Sequence, residues 1–239
     1  GERARRILAR AAAEGRERLR EHEALDLLDA YGIPVVPHRF VQGLDQVLEA
    51  AEACGYPVVL KAVAPEVVHK SDVGAVRVDL RTRAEVEESF GAMVRSLGEA
   101  DLELEGILVQ RYASGGRETI IGMSTDAHFG PVLMFGLGGI YVEALQDVSF
   151  RLAPVSESDA RDMVRSIRSS RLLEGMRGEE AVDTEGLVEV IQRVSQLVFE
   201  NPTVAELDIN PLLAFPEGTL AVDGRVALRR DPSPDDGAA

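Results

Sequence analysis

Apolar residues recur at helical spacing in several separate stretches of the chain. In each stretch they fall on one face of a helix drawn at 3.6 residues per turn, as in an amphipathic helix packed on a core. Two of the predicted helices also begin at a capping pattern, Thr82 with Glu85 and Ser156 with Asp159. The predicted helices cover residues 21–31, 44–54, 83–97, 157–168 and 186–200.

Short apolar runs rich in β-branched residues lie between these helices and predict strands. In the second half of the chain the runs are separated by only a few residues, often with glycine, which favours hairpins over parallel crossovers. The pattern therefore predicts an α+β fold with mainly antiparallel sheets. The predicted strands cover residues 34–41, 57–63, 75–80, 106–112, 118–124, 131–135, 204–209, 212–215, 220–223 and 226–228.

The same pattern predicts how the chain is divided. Two α/β lobes are expected to meet near residue 110, one formed by residues 21–109 and the other by residues 110–230. Residues 1–20 are rich in arginine, glutamate and alanine and predict a charged, frayed helix ahead of the first lobe. Residues 231–239 are rich in proline and aspartate and predict a disordered tail.

Charge and composition narrow the classes of function. A formal net charge of −15 in 239 residues repels nucleic acid and anionic lipid, so neither partner is expected. An anionic small molecule could still bind where a metal ion or a few basic residues reverse the local field. The single cysteine, Cys54, excludes an intramolecular disulfide and a cysteine metal cluster.

The chain also offers no signal for export. It contains no apolar run of the roughly 18 residues that a membrane helix needs, and no signal-peptide pattern at its start. Together with the lone cysteine, this favours a cytoplasmic location. Because the chain starts at Gly1 and not at methionine, we expect it to be a piece of a longer polypeptide or a trimmed chain.

Lys61 is the first candidate for chemistry, since it interrupts the apolar run 58–63. It is either a strand lysine whose ammonium reaches water or a phosphate-binding point charge. His69 follows in the polar, turn-prone loop 64–74. A lone histidine is commonly structural, but imidazole can also accept a phosphoryl group and pass it on.

A late acidic cluster is the second candidate. In a strand of period 2, Glu206, Asp208 and Asn210 share one face, and Asp223 follows at the end of a neighbouring strand. Carboxylate and amide oxygens suit Mg²⁺, which retains waters and bridges phosphates. A solvated polar face is the alternative, and the pattern leaves both open.

Three further features are ambiguous by themselves. The glycine-rich turn 135–140 could approach a phosphate through its backbone amides or could simply close a hairpin. Glu118, after the turn 114–117, could lie near a ribose, and Arg151 could neutralise phosphate charge. Either residue could equally be part of a turn or a surface ion pair.

Several segments, taken in order along the chain, carry a resemblance to a known family. They are residues 31–34, 57–62, 69–74, 109–112, 116–118, 136–139, 147–154 and 206–212. With these segments in this order, the chain from about Glu21 to Leu228 resembles the β subunit of ADP-forming acetyl-CoA synthetase, an ATP-grasp protein. The same module is found in single-chain acyl-CoA synthetases and in bacterial protein lysine acetyltransferases. One departure is Ala75, where the family usually has a second glycine.

The resemblance implies roles for most of the candidate residues. Lys61 would contact the nucleotide phosphates and Glu118 the ribose, while the backbone of Gln110, Arg111 and Tyr112 would recognise adenine. Asn210 and Asp223 match the Mg²⁺ ligands of the family. His69 matches a phosphorylatable histidine on a mobile loop, with Asp208 placed to orient it.

The implied reaction is acyl-CoA + ADP + phosphate ⇌ acid + CoA + ATP, an acid–thiol ligation that proceeds through phosphohistidine. ATP or ADP and Mg²⁺ are the implied cofactors. The sequence has no Gly-x-Gly-x-x-Gly pattern at the start of a βαβ unit, so we expect the CoA-binding part to be a partner subunit or other domains of the same polypeptide. The alternatives are a nucleotide-binding regulatory module of a protein lysine acetyltransferase and a non-catalytic subunit.

Overall fold

The computed structural model describes residues 1–64, 75–139, 146–175 and 180–229. Within them, the chain forms two compact units, Val36–Ser114 and Gly1–Val35 together with Gly115–Ala239. We call these the inserted unit and the main unit. Each has its own antiparallel sheet and its own core. The predicted α+β class with mainly antiparallel sheets is confirmed.

The inserted unit is a four-stranded sheet covered by two helices on one face. The sheet order is β1–β4–β2–β3, and every pairing is antiparallel. Helix α4 begins where the hydroxyl of Thr82 accepts a hydrogen bond from the Glu85 amide, as the capping pattern predicted. The elements are β1 (His38–Val41), α3 (Leu44–Cys54), β2 (Val58–Val63), β3 (Val76–Leu80), α4 (Arg83–Glu99) and β4 (Gly106–Arg111).

The main unit is built on a six-stranded sheet of order β10–β8–β5–β6–β7, with β9 also paired to β8. Four helices contribute to the core on one face of this sheet. The helices are α1 (Glu2–Ala13), α2 (Glu21–Ala30), α5 (Glu157–Ser166) and α6 (Thr184–Glu200), with a 3₁₀ helix at Arg168–Leu172. The strands are β5 (Arg117–Asp126), β6 (Gly130–Leu137), β7 (Val148–Leu152), β8 (Val204–Ala214), β9 (Thr219–Ala221) and β10 (Gly224–Leu228).

The first 35 residues belong to the main unit, which differs from the predicted division at residues 20 and 110. Leu25, Leu28 and Ile33 are fully buried in the same core as the second half of the chain. The backbone of the segment 17–19 pairs with β10, where the Leu19 amide donates to the Val226 carbonyl. Helical periodicity shows that α2 has an apolar face, but it does not show which sheet that face packs against.

The N-terminal helix is likewise part of the core. Ala4 and Ala11 are fully buried and Leu8 is 8% exposed. Arg3 pairs with Asp26 and Asp29 of helix α2. The predicted charged helix is therefore confirmed. Its fraying was also predicted, but the helix packs into the core of the main unit. Residues 230–239, predicted as a disordered tail, lie outside the described residues.

Two differences concern strands. Strand β7 is absent from the predicted strands, since residues 147–154 enter the sequence analysis only as a segment of the family resemblance and through Arg151. The predicted strands 204–209 and 212–215 are one strand, β8, whose pairing with β5 shifts register between Thr119 and Ile121. Among the described residues, no helix combines the length and apolar character needed to span a membrane.

A partly buried ion pair joins the N-terminal segment to α2. The guanidinium of Arg16 donates two hydrogen bonds to the carboxylate of Glu23, at 2.6 and 2.8 Å, and the Arg20 amide donates a third at 2.9 Å. Burial raises the pKa of Glu23, but these donors outweigh burial and lower it below its ordinary value.

The change Glu23→Gln is expected to reduce the free energy of unfolding at pH 7 by about 1.5–3 kcal/mol, since hydrogen bonds to a charged acceptor are lost. Because the folded pKa of Glu23 lies below the unfolded value of about 4.3, its contribution is present above that value and is lost as the pH falls through the folded pKa. Urea unfolding at pH 7, 5 and 3.5 measures both effects.

The control is Glu157→Gln, which removes an ion pair to Arg161 from a carboxylate whose side chain is 63% exposed. Exposed pairs contribute little, so this variant should lie within about 0.5 kcal/mol of the parent protein. A Glu23→Gln effect that is equally small, or that does not shrink with acid, contradicts the role given to the Arg16–Glu23 pair.

Candidate functional site

Strand β8 carries the acidic cluster, and its two faces are distinct. Leu207 and Ile209 are buried in the core of the main unit. Glu206, Asp208 and Asn210 alternate with them and point to the opposite face, where Glu206 and Asn210 are exposed and Asp208 is half-buried. We call this side of the six-stranded sheet the acidic face. The structure confirms the predicted alternation of buried and exposed residues along this part of β8.

Asp223 lies beside Asn210 in the sheet. Strand β10 pairs Gly224 with Ile209, and one position further the Asn210 amide donates to the Asp223 carbonyl at 3.3 Å. On the other side of β8, the register shift leaves Asn210 and Pro211 opposite Ile120 alone. A bulge of this kind re-aims side chains and is common at functional sites. The sequence signal for the bulge was the Asn-Pro break between two apolar runs.

Asp208 occupies the middle of the acidic face. It is paired in register with Gly122 of β5 and with Arg225 of β10. Burial raises the pKa of Asp208 above its ordinary value, and the positive charge of Arg225 lowers it in part. The glycine opposite leaves room for the Met134 side chain, whose Cε would lie 3.1 Å from a Cβ at Gly122.

The oxygen donors of this face fit a hard divalent cation. Asn210 and Asp223 supply an amide and a carboxylate at adjacent register positions on a rigid sheet. Mg²⁺ commonly takes one or two carboxylates and completes its shell with water and phosphate oxygens. The described residues contain no cluster of three or more histidine, cysteine, aspartate or glutamate side chains that could hold a metal ion by themselves. The fit is therefore to a cation shared with a ligand.

Glu118 lies on the same face and touches the glycine-rich turn. Its register partner is Leu213, and its carbonyl accepts a hydrogen bond from the Gly138 amide at 2.8 Å. A Cβ atom at Gly138 would lie 3.0 Å from the Glu118 Cβ, closer than ordinary contacts allow. The glycine at this position thus permits the turn to pack against Glu118.

Arg151 is not brought to the acidic face. It pairs in register with Leu133, which is fully buried in the core, so its side chain projects on the helix-covered side of the sheet. Hydrogen bonds from the hydroxyl and the amide of Ser156 lower the pKa of Asp159 in the first turn of α5, and the positive charge of Arg151 lowers it further. Phe150 and Leu152 alternate with it and occupy the acidic side. The sequence could not assign these faces because the strand β7 was not recognised.

Asp147, which precedes β7, has a structural contact. Its buried carboxylate accepts hydrogen bonds from the amides of Arg168 and Ser169, each at 2.7 Å, and so holds the start of the 3₁₀ helix. Burial raises the pKa of Asp147, but these donors lower it more, to below its ordinary value. The motif 147–154 therefore combines a structural residue with residues on both faces of the sheet.

In the inserted unit, Lys61 lies on the face of the sheet away from the helices. Leu60 and Ala62, on either side of it, are buried in the core of this unit. Lys61 itself is half-buried and pairs with Leu108 and Val76. Ala75, just before β3, is fully buried, and its carbonyl accepts a hydrogen bond from the Ala62 amide at 2.8 Å. His69 lies outside the described residues.

The segment predicted to recognise adenine is the end of β4 and the residue after it. The Arg111 amide donates to the Pro37 carbonyl at 2.9 Å, and the Tyr112 amide donates to the Pro57 carbonyl at 2.8 Å. These two donors are therefore used within the inserted unit. The Gln110 side chain is 1% exposed. A base bound along this segment must use its carbonyl oxygens or amides beyond Tyr112.

Comparison with known proteins shows the family of this chain. A family model described as an ATP-grasp domain matches residues 10–228. The β subunit of ADP-forming acetate–CoA ligase I from Pyrococcus furiosus is 41% identical over 227 residues, covering 94% of this chain and 97% of that subunit. ADP-forming acetate–CoA ligase I from Archaeoglobus fulgidus is 43% identical over 208 residues, covering 86% of this chain and only 30% of the ligase.

Solved structures show the same similarity. Acetyl-coenzyme A synthetase 1 from Ca. Korarchaeum cryptofilum, in complex with coenzyme A, Ca-AMPCP and HgCl+, has a chain that superposes with a TM-score of 0.91 at 44% identity, covering 95% of this chain and 100% of that chain. Another structure of that synthetase contains coenzyme A and Mg-AMPPCP, with its phosphohistidine segment pointing towards the nucleotide binding site. Its TM-score is 0.86 at 43% identity, with the same coverage.

The change Gly138→Ala is expected to weaken the binding of ATP and ADP by roughly 3- to 10-fold, as expected for the loss of a hydrogen bond. The added methyl group must displace Glu118, the residue that the resemblance places near the ribose. Titration calorimetry measures the affinity. Gly98→Ala is the control, since a Cβ there meets no atom within 4 Å. If Gly138→Ala has the same effect after Glu118→Ala as before it, the link between the two residues is wrong.

Proposed function

Because the chain belongs to the ATP-grasp family and, within it, to the β subunits of ADP-forming acetate–CoA ligases, we propose that it is the nucleotide-binding, phosphoryl-transferring part of an acyl-CoA synthetase. The reaction of the complete enzyme is acyl-CoA + ADP + phosphate ⇌ acid + CoA + ATP. The observation that carries the proposal is the acidic face, where Asp223, just before β10, adjoins Asn210 and Asp208 of β8.

The residue roles that the resemblance implies for the nucleotide are kept in this proposal. Lys61 contacts the phosphates as a compact point charge, and Glu118 contacts the ribose. The segment 110–112 lies along the base and presents carbonyl oxygens, since two of its amides are already used. Asn210 and Asp223 hold Mg²⁺, which neutralises charge on the phosphate oxygens when it is bound.

His69 carries the phosphoryl group. In one direction, an imidazole nitrogen attacks the γ-phosphorus of ATP, so that a P–N bond forms, the P–O bond to ADP breaks and the imidazole loses its proton. In the other direction, an oxygen of ADP attacks the phosphohistidine and the imidazole leaves with the electron pair. Asp208, half-buried and fixed in the sheet, orients the imidazole ring during these steps.

The acyl-CoA chemistry takes place elsewhere in the enzyme. This chain spans 30% of the Archaeoglobus ligase but 97% of the Pyrococcus β subunit. We therefore propose that a CoA-binding subunit, or further domains of the same polypeptide, forms the acyl phosphate and exchanges its phosphoryl group with His69. We place the protein in the cytoplasm, where a free buried thiol such as that of Cys54 stays reduced.

The relatives named here are ligases, which favours this proposal over a regulatory module of a protein lysine acetyltransferase. The set of Lys61, Asp208, Asn210 and Asp223 is intact, and a non-catalytic subunit has no use for it. The acid that the enzyme activates is selected by parts that lie outside this chain.

The relay is tested by labelling the complex with its CoA-binding partner from γ-labelled Mg-ATP. We expect one acid-labile, base-stable phosphohistidine, which His69→Ala abolishes together with acyl-CoA synthesis. His128→Ala is the matched control and should label as the parent does, since His128 lies on an exposed hairpin tip with its side chain 88% exposed. Full labelling of His69→Ala rules out the relay.

The metal site is tested by titrating ADP with Mg²⁺ and again with EDTA. Asp223→Asn removes one charged oxygen donor and should reduce the gain in affinity that Mg²⁺ gives by about 10-fold or more. The affinity in EDTA should not fall.

Glu206→Gln is the control for the metal test, since it removes one carboxylate from the same face two residues away from Asp208. It should keep the Mg²⁺ effect. If both variants behave alike, the metal is not held at Asn210 and Asp223.

A further inference from the structure

Arg225 is a basic residue on the acidic face that the sequence pattern did not single out. It is exposed on strand β10 and stands in register directly opposite Asp208. Residues opposite each other in an antiparallel pair have Cβ atoms roughly 4.5–5.5 Å apart and project to the same side. The guanidinium therefore lies over the face that carries Asp208, Asn210 and Asp223.

The other described positions of this face, on the strands from β10 to β7, are acidic, neutral or apolar. Following the register row through Asp208, the sheet presents Gly122, Met134 and Phe150 in turn. The next row presents Glu206, followed by residues without charge. Arg225 is accordingly the one basic side chain that the pairings among strands β5 to β10 place on the acidic face, while Arg18 faces the same side from the bridge to Ala227 at the outer edge of β10. Arg151, the arginine that the sequence suggested for phosphate charge, lies on the opposite face.

Binding of a phosphate on the acidic face calls for a positive charge there, because the face carries several carboxylates. The whole chain has a formal net charge of −15, and Asp208, Asp223 and Glu206 add three carboxylates on this face. A nucleotide phosphate entering here meets a repulsive field that a single divalent ion neutralises only in part. In contrast to Arg3, Arg16 and Arg161, which form ion pairs, Arg225 forms no ion pair with a described residue.

Arginine suits this position better than lysine does. Its planar guanidinium presents several N–H groups in a fixed fork that matches two phosphate oxygens, and it stays charged at any working pH. On a paired strand its backbone is fixed, so the base of the side chain is placed beside Asp208 before the ligand arrives.

We propose that Arg225 binds the terminal phosphoryl group of the nucleotide on the acidic face, the task that the sequence suggested for Arg151. The inference rests on the proposed function, since it assumes that the acidic face holds the nucleotide phosphates. Arg225 adds a second positive charge of the protein to that of Lys61, beside the charge of the metal ion.

The test uses Arg225→Gln and Arg225→Lys in the complex of this chain with its CoA-binding partner. Calorimetry with ATP and with ADP, both in EDTA, measures the contact without the metal ion. We expect Arg225→Gln to weaken ATP by about 10- to 100-fold and ADP by clearly less, since the lost contact is to the terminal group. Arg225→Lys should recover part of the loss. Phosphohistidine formation from Mg-ATP should slow in the same order.

Arg229→Gln is the matched control, an exposed arginine just after the same strand whose amide bonds to the Thr203 carbonyl. It should bind ATP as the parent does. Thermal unfolding of each variant shows that the fold is intact. If Arg225→Gln binds ATP with the parent affinity, the inference is overturned.

A second comparison separates a phosphate contact from an effect that acts only through Asp208. In an Asp208→Asn background, Arg225→Gln should still weaken ATP, because the phosphate contact does not depend on that carboxylate. If the effect disappears there, Arg225 only positions Asp208 and the inference is wrong. If the parent complex itself neither binds ATP nor forms phosphohistidine, the proposed function fails, which is a different outcome.

Discussion

The candidate site depends on the burial of alternate residues along strand β8. Leu207 and Ile209 are held in the core of the main unit, and this fixes Asp208 and Asn210 on the other side of the sheet. Since side chains alternate strictly along a strand, a slip of one residue would bury the carboxylates and expose the aliphatic residues. The hydrophobic core therefore sets the direction of every polar group on the acidic face.

The neighbouring strands extend this control to residues that are distant in sequence. Strand β10 pairs with β8 and brings Asp223 beside Asn210 and Arg225 opposite Asp208. The outer side of β10 is in turn paired with residues 17–19, which the Arg16–Glu23 ion pair ties to helix α2. The first residues of the chain thus support the strand that completes the site, and they belong to the same unit for that reason.

Because the chain is strongly acidic, the positions of individual basic residues determine where a phosphate can bind. A chain with a net charge of −15 does not attract anions by its overall field, so it needs specific groups where phosphates bind. Asp208 is half-buried opposite Arg225, and burial raises its pKa while Arg225 opposes that shift. The acidic face therefore combines carboxylates with a guanidinium whose positive charge partly offsets theirs.

Much of the site could be predicted from the sequence because its signals are local. The alternation of apolar and polar residues from Leu207 to Asn210 predicted the two faces of β8. Lys61 could be identified as a candidate because it is the one charged residue in the apolar run of β2. The capping pattern at Thr82 correctly placed the start of α4. These features depend on a few neighbouring residues, and the physics of strand alternation and helix capping acts over the same short range.

The tertiary structure decided what depends on pairing between distant segments. No local pattern shows that residues 1–35 pack with the second half of the chain, that Arg151 faces the helices, or that Arg225 stands opposite Asp208. Those facts follow from the register of strands and from which core each apolar face joins. The sequence by itself determined the elements, the family resemblance and most candidate residues, whereas long-range strand pairing decided which of them share a face.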